Sequence, residues 1–326
     1  MVANGSILVT LVELVDRLPM PAVAAAGRGR PRVYSDRLFL KALVIMIVKR
    51  LPTVPLLLAV LDQPTVEMQQ LRALLREQDR YPSRRTFERR LAAIPETLSA
   101  QIACLGVALL DLLQPWETCG QAAAIDSTVL RANGGVWHKK DREANIVPHT
   151  SIDTEAHWTK SGWHGWVYGW KLHLVTTVAA VWLPLAADVT PANTADNEWA
   201  FELLDTLLAE MRFLLGDSAY NDPELREECE ARGMTLVTTR RGAYPHTDDG
   251  VEVRRIFHQL RSHAIENFNG QFKGIFDGRQ PVPTRGLLAT RRFALGAVLV
   301  YQLTVWHRFE AGDDLRVGLK PFLKAA

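Results

Sequence analysis

The order of short apolar runs after residue 120 constrains the fold of this chain more than any other feature of its sequence. Runs of strand length, rich in β-branched residues, predict strands over 122–125, 168–177, 183–190, 213–215 and 234–239. Amphipathic stretches predict helices over 196–210, 223–232 and 259–272. The elements therefore follow each other as three strands, helix, strand, helix, strand, helix.

Three consecutive strands followed by alternating helices and strands predict the α/β class, with a mixed sheet covered by helices on both faces. This is the element order of the RNase H-like fold, here with a mixed five-stranded sheet flanked by helices. Residues 35–113 look helical instead, with helices predicted over 35–49 and 65–80. A last long helix is predicted over 284–309. We therefore expect an all-helical N-terminal region before the α/β region.

A short basic helix is predicted in the N-terminal region, directly after Tyr81-Pro82, with Ser83 as its cap. Its apolar residues share one face, and they are Phe87, Leu91 and Ile94. Its basic residues are Arg84, Arg85, Arg89 and Arg90. A buried stripe beside guanidinium groups is typical of a DNA-recognition helix. A solvated surface helix would show the same pattern, so both interpretations stay open on this segment alone.

Charge is distributed unevenly along the chain although the net charge is only +2. Residues 1–115 carry +5 (15 Lys and Arg, 10 Asp and Glu), and residues 251–326 carry +6 (12 and 6). The middle, residues 116–250, carries −9 (11 and 20). Two basic ends around an acidic centre suit a protein that binds nucleic acid, and chance variation with solvated helix faces explains the charges equally well.

Asp126 and Asp217 each follow an apolar run directly, in Ala-Ile-Asp-Ser-Thr and Leu-Leu-Gly-Asp-Ser-Ala-Tyr. A carboxylate at the end of a buried strand must be solvated, paired or metal-bound, because its desolvation is costly. Capping of the next turn is the simpler alternative for either residue taken singly. The predicted topology makes both strands adjacent and central, so we expect the two carboxylates to converge. Two carboxylates so close together raise the pKa of one of them unless a cation holds both, and oxygen ligands favour Mg²⁺ or Mn²⁺ over zinc.

Glu266 lies beside a predicted buried helical stripe. The residues of that stripe are Ile265, Phe268, Phe272 and Phe276. Taken alone, a glutamate there would snorkel or pair with an arginine. Lys273 is seven residues further, two turns along the same face. Its ammonium group could reach a DNA phosphate beside a metal held by Glu266.

These three carboxylates occur in the order and the contexts of a known family. The sequence resembles the DDE transposases of bacterial insertion sequences, which have an RNase H-like catalytic domain. The matching segments are Ile-Asp126-Ser-Thr, Gly-Asp217-Ser-Ala-Tyr220, and Glu266 with Lys273, which is similar to the family's Glu-six-residues-Lys signature. The resemblance covers about 120–300, and its specificity comes from the three ordered motifs together.

The resemblance implies that Asp126, Asp217 and Glu266 are catalytic and bind metal, with two Mg²⁺ ions or Mn²⁺ in their place. The implied reaction is hydrolysis at transposon ends, then attack of the freed 3′-OH on target DNA. The implied partner is double-stranded DNA, as terminal inverted repeats and as target, bound by a homodimer. A cytoplasmic, nucleoid-associated location in a prokaryote is expected.

The resemblance also predicts the division of the chain. We expect a helical DNA-binding domain at 1–115, an RNase H-like catalytic domain at 116–310 and a C-terminal tail at 311–326. Two departures from the family's pattern matter: the first bears on the subfamily, and the second on a hairpin-forming route of cleavage. The signature often has Arg four positions before the Glu and Tyr three before that Arg, whereas this chain has Ser262 and Gln259 there, with Arg261 one position early. The 48 residues between Asp217 and Glu266 leave no room for the β-rich insertion of some relatives.

Two further features point to DNA less specifically. Lys139 and Lys140 lie in a predicted loop after Asp126 that could follow a phosphate backbone, or be a solvated loop. Seven of the nine tryptophans lie between 137 and 199. Packing on the sheet is favoured for most of them, and stacking on unpaired bases for one or two.

Other protein classes fit this sequence less well. The three cysteines are far apart and lack zinc spacing, which predicts a reducing compartment without structural zinc. The apolar N-terminal segment is interrupted by charges and has no preceding Lys or Arg, so we expect no signal peptide and no membrane partner. Two other functions stay open: an RNase H-like nuclease without strand transfer, and a catalytically silent DNA-binding protein derived from a transposase.

Overall fold

A computed structural model describes residues 6–21, 33–114, 121–162, 165–238, 248–276, 280–315, 318–319 and 322–323. Within these residues a mixed sheet is flanked by helices and preceded by an N-terminal helical region, which confirms the predicted fold class. The apolar residues of both parts belong to one continuous core. The domain limits at 115 and 310 stay a prediction.

The sheet has six strands. They are β1 (Ala122–Arg131), β2 (His157–Ser161), β3 (Gly165–Thr177), β4 (Pro184–Pro191), β5 (Phe213–Gly216) and β6 (Thr235–Thr238). On one edge β3 pairs antiparallel with β1, and on the other with β2 and then β4. Next to β1 lie β5 and β6, both parallel to it. β1 is therefore the strand where the antiparallel and parallel halves of the sheet meet.

The prediction of five strands was one short, because β2 carries no strand signal in its sequence. The sequence of His157–Ser161 does not alternate between apolar and polar residues, and none of these residues is fully buried. β2 pairs only with the first residues of β3 and lengthens that strand into a hairpin. Cross-strand pairing, which a single-strand pattern does not record, forms this strand.

Asp126 lies inside β1 rather than at its end, which corrects the predicted limits of that strand. The antiparallel ladder with β3 continues through Asp126, paired with Leu174, to Arg131, paired with Gly169. The parallel ladder with β5 pairs Ala124 with Leu215 as its last residues. Asp126 therefore stands where β1 loses its neighbour on one side, and a polar side chain is tolerated there.

The N-terminal region is helical as predicted, with more helices than expected. They are α1 (Ile7–Leu14), α2 (Asp36–Val48), α3 (Val54–Leu61), α4 (Val66–Leu74), α5 (Arg84–Ala93) and α6 (Pro95–Leu113). α3 is not among the predicted helices. Its Pro55 lies in the first helical turn, where proline is well tolerated. α4 ends at Leu74, before the predicted residue 80, and a turn with positive φ at Gln78 and Asp79 follows it.

The remaining helices surround the sheet. They are α7 (Lys139–Glu143), α8 (Asp196–Thr206), α9 (Pro223–Ala231), α10 (Asp248–Arg261), α11 (Asn267–Ile275) and α12 (Leu287–Glu310). α6 and α12 pack on β4, while α8 packs on β3 and β4. α10 and α11 form one rod, interrupted by a π-helical turn at Ser262–Glu266 that packs on β1 and β3. This rod begins before the predicted residue 259 and carries Glu266 to the sheet.

One described helix, α6, is long and apolar enough to cross a membrane by length and composition alone. It packs against β4 and α12, and its Gly106 lies close to the backbone of Pro184. These contacts are those of a core helix.

Candidate active site

Asp126 lies in β1, and Asp217 directly follows the neighbouring strand β5. The last β1–β5 pair is Ala124 with Leu215, and each aspartate follows two residues later on its own chain segment. Both are partly buried. The predicted convergence of these two residues at one edge of the sheet therefore agrees with the strand register.

A tight turn fixes Asp217. Its Oδ1 accepts a hydrogen bond from the backbone N–H of Ala219 at 2.8 Å, so it caps the 3-10 turn Ser218–Tyr220. The turn folds Tyr220 back over Gly216, where a Cβ would lie only 2.8 Å from Cβ of Tyr220. The glycine in Gly-Asp-Ser-Ala-Tyr is thus required by packing. Asp217 both caps this turn and lies near the carboxylate of Asp126.

Asp126 lies in a strongly perturbed electrostatic environment. Burial, reinforced by the nearby carboxylates of Asp217 and Asp196, raises the pKa of Asp126 to about 7. Arg261 and a hydrogen bond from the backbone N–H of Ser127 (2.8 Å) act in the opposite direction. Negative charge at this position is therefore under-compensated, and a cation nearby would stabilise the ionised carboxylate.

Arg261 connects Asp126 to Glu266. Its Nη1 lies 3.7 Å from Oδ2 of Asp126, and its Nη2 lies 3.3 Å from Oε1 of Glu266. The Arg261 side chain is 13 % exposed, whereas that of Glu266 is 54 % exposed. Ile265, Phe268 and Phe272 are buried as the predicted stripe requires. Glu266 therefore flanks the buried face, on the side where Asp126 lies.

Tyr220 and Asp196 belong to the same neighbourhood and were given no role on sequence grounds. Tyr220 is 1 % exposed, and its hydroxyl has no hydrogen-bond partner among the described residues. Burial, and then the carboxylates of Asp196, Asp126 and Asp217, hold its pKa well above 10. Asp196 accepts a hydrogen bond from Lys171 Nζ at 2.9 Å. A lysine within the apolar run of β3 was the available sign that a carboxylate faces this strand.

The carboxylates suit a hard divalent cation by chemistry, although their present arrangement does not form a complete site. Asp126, Asp217 and Glu266 offer only oxygen ligands, as Mg²⁺ and Mn²⁺ prefer. Among the described residues, no three His, Cys, Asp or Glu side chains stand close enough together to hold a metal ion. The guanidinium group of Arg261 stands between two of the three carboxylates.

Comparison with known proteins identifies the family. Residues 117–303, more than half of the chain, match the family described as "Transposase DDE domain". The chain belongs to the DDE-domain transposases. All three carboxylates fall inside the matched segment.

Solved transposase structures are similar to this chain at low identity. A piggyBac transposase synaptic complex with hairpin DNA has 10% identity and a TM-score of 0.42, covering 98% of this chain and 76% of that one. The Mos1 paired-end complex with the left transposon end has 12% identity and a TM-score of 0.24, covering 83% and 78%. The Mos1 strand transfer complex has 13% identity and a TM-score of 0.24, covering 89% and 81%. A comparison with curated protein sequences gave no match.

The basic helix of this DDE transposase is α5, and its four arginines differ in environment. Ser83 caps the helix as predicted, and Phe87 and Leu91 are buried. Arg84 pairs with Glu88 at 2.8 Å on the surface, and Arg85 and Arg89 are exposed. Arg90 is 16 % exposed, pairs with Asp36 and places its guanidinium carbon 4.8 Å from the centre of the Phe39 ring. The surface of α5 is therefore basic, with Arg90 turned toward α2.

The remaining predicted DNA contacts lie apart from α5 in the sequence. Lys139 and Lys140 are exposed on α7, where Lys139 lies 3.7 Å from Glu143. Lys273 is partly buried on α11. Among the described tryptophans, Trp170 is fully buried, whereas Trp166 is 68 % exposed on the hairpin of β2 and β3. Trp163 lies outside the described residues.

Proposed function

We propose that this transposase cuts DNA at the ends of a mobile element and joins the freed 3′-OH to target DNA, using divalent metal ions held by Asp126, Asp217 and Glu266. The observation that carries the proposal is the placement of Asp126 beside Asp217, with Arg261 joining Asp126 to Glu266. Family membership, which rests on residues 117–303, supports the same chemistry.

The chemistry of DNA cleavage fits such a site. Phosphoryl transfer depends on positioning and on charge neutralisation more than on covalent participation of the protein. When bound, two Mg²⁺ or Mn²⁺ ions would neutralise the attacking and leaving oxygens. Water and a 3′-OH can act in turn as nucleophiles at one such site, so a single set of carboxylates serves both cleavage and joining.

The residues of the chain have separate tasks in this proposal. Asp126 and Asp217, fixed by β1 and by the turn after β5, supply ligands from the sheet, and Glu266 supplies one from the helical rod. Tyr220 stays protonated because of its raised pKa, so its hydroxyl remains a donor beside the carboxylates. Lys273 follows Glu266 by two turns and would bind a DNA phosphate as a point charge.

DNA binding is assigned to the basic surfaces. The exposed Arg84, Arg85 and Arg89 of α5 would bind the terminal inverted repeats, and Arg90, which pairs with Asp36, would support them by holding α5 against α2. The exposed Lys139 and Lys140 would contact the backbone near the cut. We infer that two copies bind the paired DNA ends as a homodimer and that the protein works in the prokaryotic cytoplasm, on the nucleoid.

Joining activity tests the proposal. The DNA flanking the gene is first examined for short inverted repeats, which supply the substrate. Purified protein is then incubated with a pre-cut donor end, a target plasmid and Mg²⁺. We expect joined products that EDTA abolishes. Cutting of uncut ends without any joining of pre-cut ends would favour the nuclease, and binding of the ends with neither activity would favour the silent DNA-binding protein.

A further inference from the structure

We propose that Arg261 is an internal counter-ion of the active site, which holds Asp126 and Glu266 in the metal-free protein and which a divalent cation displaces. The inference rests on the proposed function, because it takes these two carboxylates as metal ligands. It assigns to Arg261 a positioning role that sets the affinity of the site for metal.

The geometry of Arg261 is that of a loosely held bridge. Its two contacts, 3.7 Å to Asp126 and 3.3 Å to Glu266, use different nitrogens and reach different carboxylates. Strong arginine–carboxylate pairs are bidentate, with two parallel bonds of about 2.7–2.9 Å. Neither carboxylate is therefore locked by Arg261, and both can exchange the guanidinium for another cation.

The guanidinium group is also incompletely satisfied where it stands. Its Nε is buried and has no hydrogen-bond partner among the described residues. A buried donor without a partner costs free energy, and a buried ion pair does not compensate fully unless its remaining donors are bonded. As a purely structural bridge Arg261 is poorly built, which is expected for a group that leaves this position when metal binds.

The helical rod is distorted where it brings Arg261 to Glu266. The backbone N–H of Asn267 bonds to the carbonyl of Ser262, five residues back, as in a π-helix. In a regular α-helix, residues five apart point about 140° away from each other at roughly 100° per residue. The wider π-turn places them on one side. Such turns are rare and occur frequently at functional sites.

Charge makes Arg261 and a metal ion competitors. The guanidinium group neutralises part of the negative charge of Asp126, whose neighbours include Asp217 and Asp196. A divalent cation bound by Asp126 and Glu266 would be repelled by a guanidinium group left between them. Removal of the Arg261 charge should therefore strengthen metal binding and weaken the metal-free fold. These two effects have opposite signs, and this distinguishes the proposal from a structural role.

The test measures Mn²⁺ binding by the loss of the free-ion signal in electron paramagnetic resonance, together with Tm in EDTA and in Mn²⁺. We expect Arg261→Gln to bind Mn²⁺ roughly tenfold more tightly than wild type, within the usual range of coupling between sites. Its Tm in EDTA should fall by at least about 2 °C, and Mn²⁺ should raise that Tm by more than it raises the wild-type Tm.

Two further variants control the measurement. Arg212→Gln removes the same charge from an exposed position directly before β5, at the opposite end of the strand from Asp217, and should bind Mn²⁺ like wild type. Arg261→Lys keeps the charge without a forked group, so it should bind Mn²⁺ with an affinity between wild type and Arg261→Gln, and it serves if Arg261→Gln does not fold.

The outcomes separate this inference from the proposed function. In one outcome, wild type binds Mn²⁺, Asp217→Asn removes this binding, and Arg261→Gln and Arg261→Lys bind no more tightly than wild type. That outcome overturns the counter-ion role and leaves the metal site standing. A lower Tm with unchanged Mn²⁺ affinity also overturns it, since a structural ion pair has that signature. Absence of saturable wild-type binding overturns the metal assignment itself and the inference with it.

Discussion

Arg261 and Glu266 are five residues apart, and their side chains meet at 3.3 Å because a π-helical turn lies between them. In a regular α-helix this contact belongs to residues three or four apart. The transposase signature often places an arginine four residues before the glutamate, whereas here it stands five before. The π-turn brings residues five apart to one side of the helix, as residues four apart are in a regular α-helix.

The three carboxylates should be individually necessary for cleavage. Asp126→Asn, Asp217→Asn and Glu266→Gln each remove a charged ligand while keeping the shape of the side chain. We expect cleavage of terminal-repeat DNA in Mg²⁺ to fall by roughly 100–1,000-fold, the scale on which loss of charge stabilisation acts in active sites. DNA binding, measured by gel shift, should stay within about threefold of wild type, because phosphate contacts lie elsewhere.

A matched control for this series is Glu202→Gln, which neutralises an exposed carboxylate on α8. It should leave cleavage unchanged. Full activity of any one of the three active-site variants, or wild-type activity in EDTA, would contradict the assignment of these residues as metal ligands.

The arginines of α5 should separate into two functional kinds. Arg85 and Arg89 are exposed, so each can contact a DNA phosphate. In the double Ala variant, the slope of log K for end binding against log salt concentration should therefore be shallower by about two, roughly one per lost phosphate contact. The free energy of unfolding should stay within ~0.5 kcal/mol of wild type. Arg90 packs over Phe39 and pairs with Asp36, so Arg90→Ala should destabilise the protein by about 1–2 kcal/mol in urea unfolding. An unchanged salt slope for Arg85→Ala/Arg89→Ala would make α5 a solvated surface helix.

Lys273 should matter for rate more than for folding. It lies two turns beyond Glu266 on the same rod, about 10 Å along the helix axis, and suits a phosphate next to the metal site. We expect Lys273→Ala to slow single-turnover cleavage and joining roughly 10–100-fold at saturating Mg²⁺, the value of one charge-assisted hydrogen bond. Mn²⁺ affinity should not change. Equal single-turnover rates for the variant and wild type would remove Lys273 from the active site.

The core of the fold was predictable because its strands are apolar runs with clear limits. β5, for example, is the short strand Phe213–Gly216, and Asp217 follows it directly. The sequence alone therefore locates both the strand and the carboxylate. β2 was not predictable, since its side chains are half-exposed and only pairing with β3 makes them a strand. The same limitation placed the end of β1 at Asp126 instead of Arg131.

The sequence indicates the three candidate carboxylates but not the arginine that contacts two of them. Asp126, Asp217 and Glu266 stand out because each interrupts or flanks an apolar pattern. In the sequence, Arg261 stands one position earlier than the arginine of the family's signature. Its contact with Glu266 is not predictable, because helical periodicity assumes 3.6 residues per turn and a π-turn breaks that assumption. Asp196 was interpreted as a helix start, which it is, and its contact with Lys171 depends on how α8 packs on β3.

His173 should make stability depend on pH in a defined window. Its side chain is fully buried, its Nε2 lies 2.8 Å from Oγ1 of Thr190, and burial lowers its pKa to about 4 against the influence of Asp196. Between pH 4 and about 6.5 the unfolded chain therefore binds more protons at this residue than the folded protein does, and the contribution of His173 to the free energy of unfolding rises with pH through that window by up to about 3 kcal/mol. The raised pKa of Asp126 acts in the opposite direction in the metal-free protein, so the His173 contribution is read from a comparison with a variant. Urea unfolding without metal at pH 4.5 and 7.5 measures the net change in the free energy of unfolding, and the value at pH 7.5 minus that at pH 4.5 should be smaller in His173→Gln than in wild type by about 2 kcal/mol or more. His149→Gln, at an exposed position, should keep the wild-type change. A pH dependence that is the same in wild type and in His173→Gln would show that His173 is not buried in its neutral form.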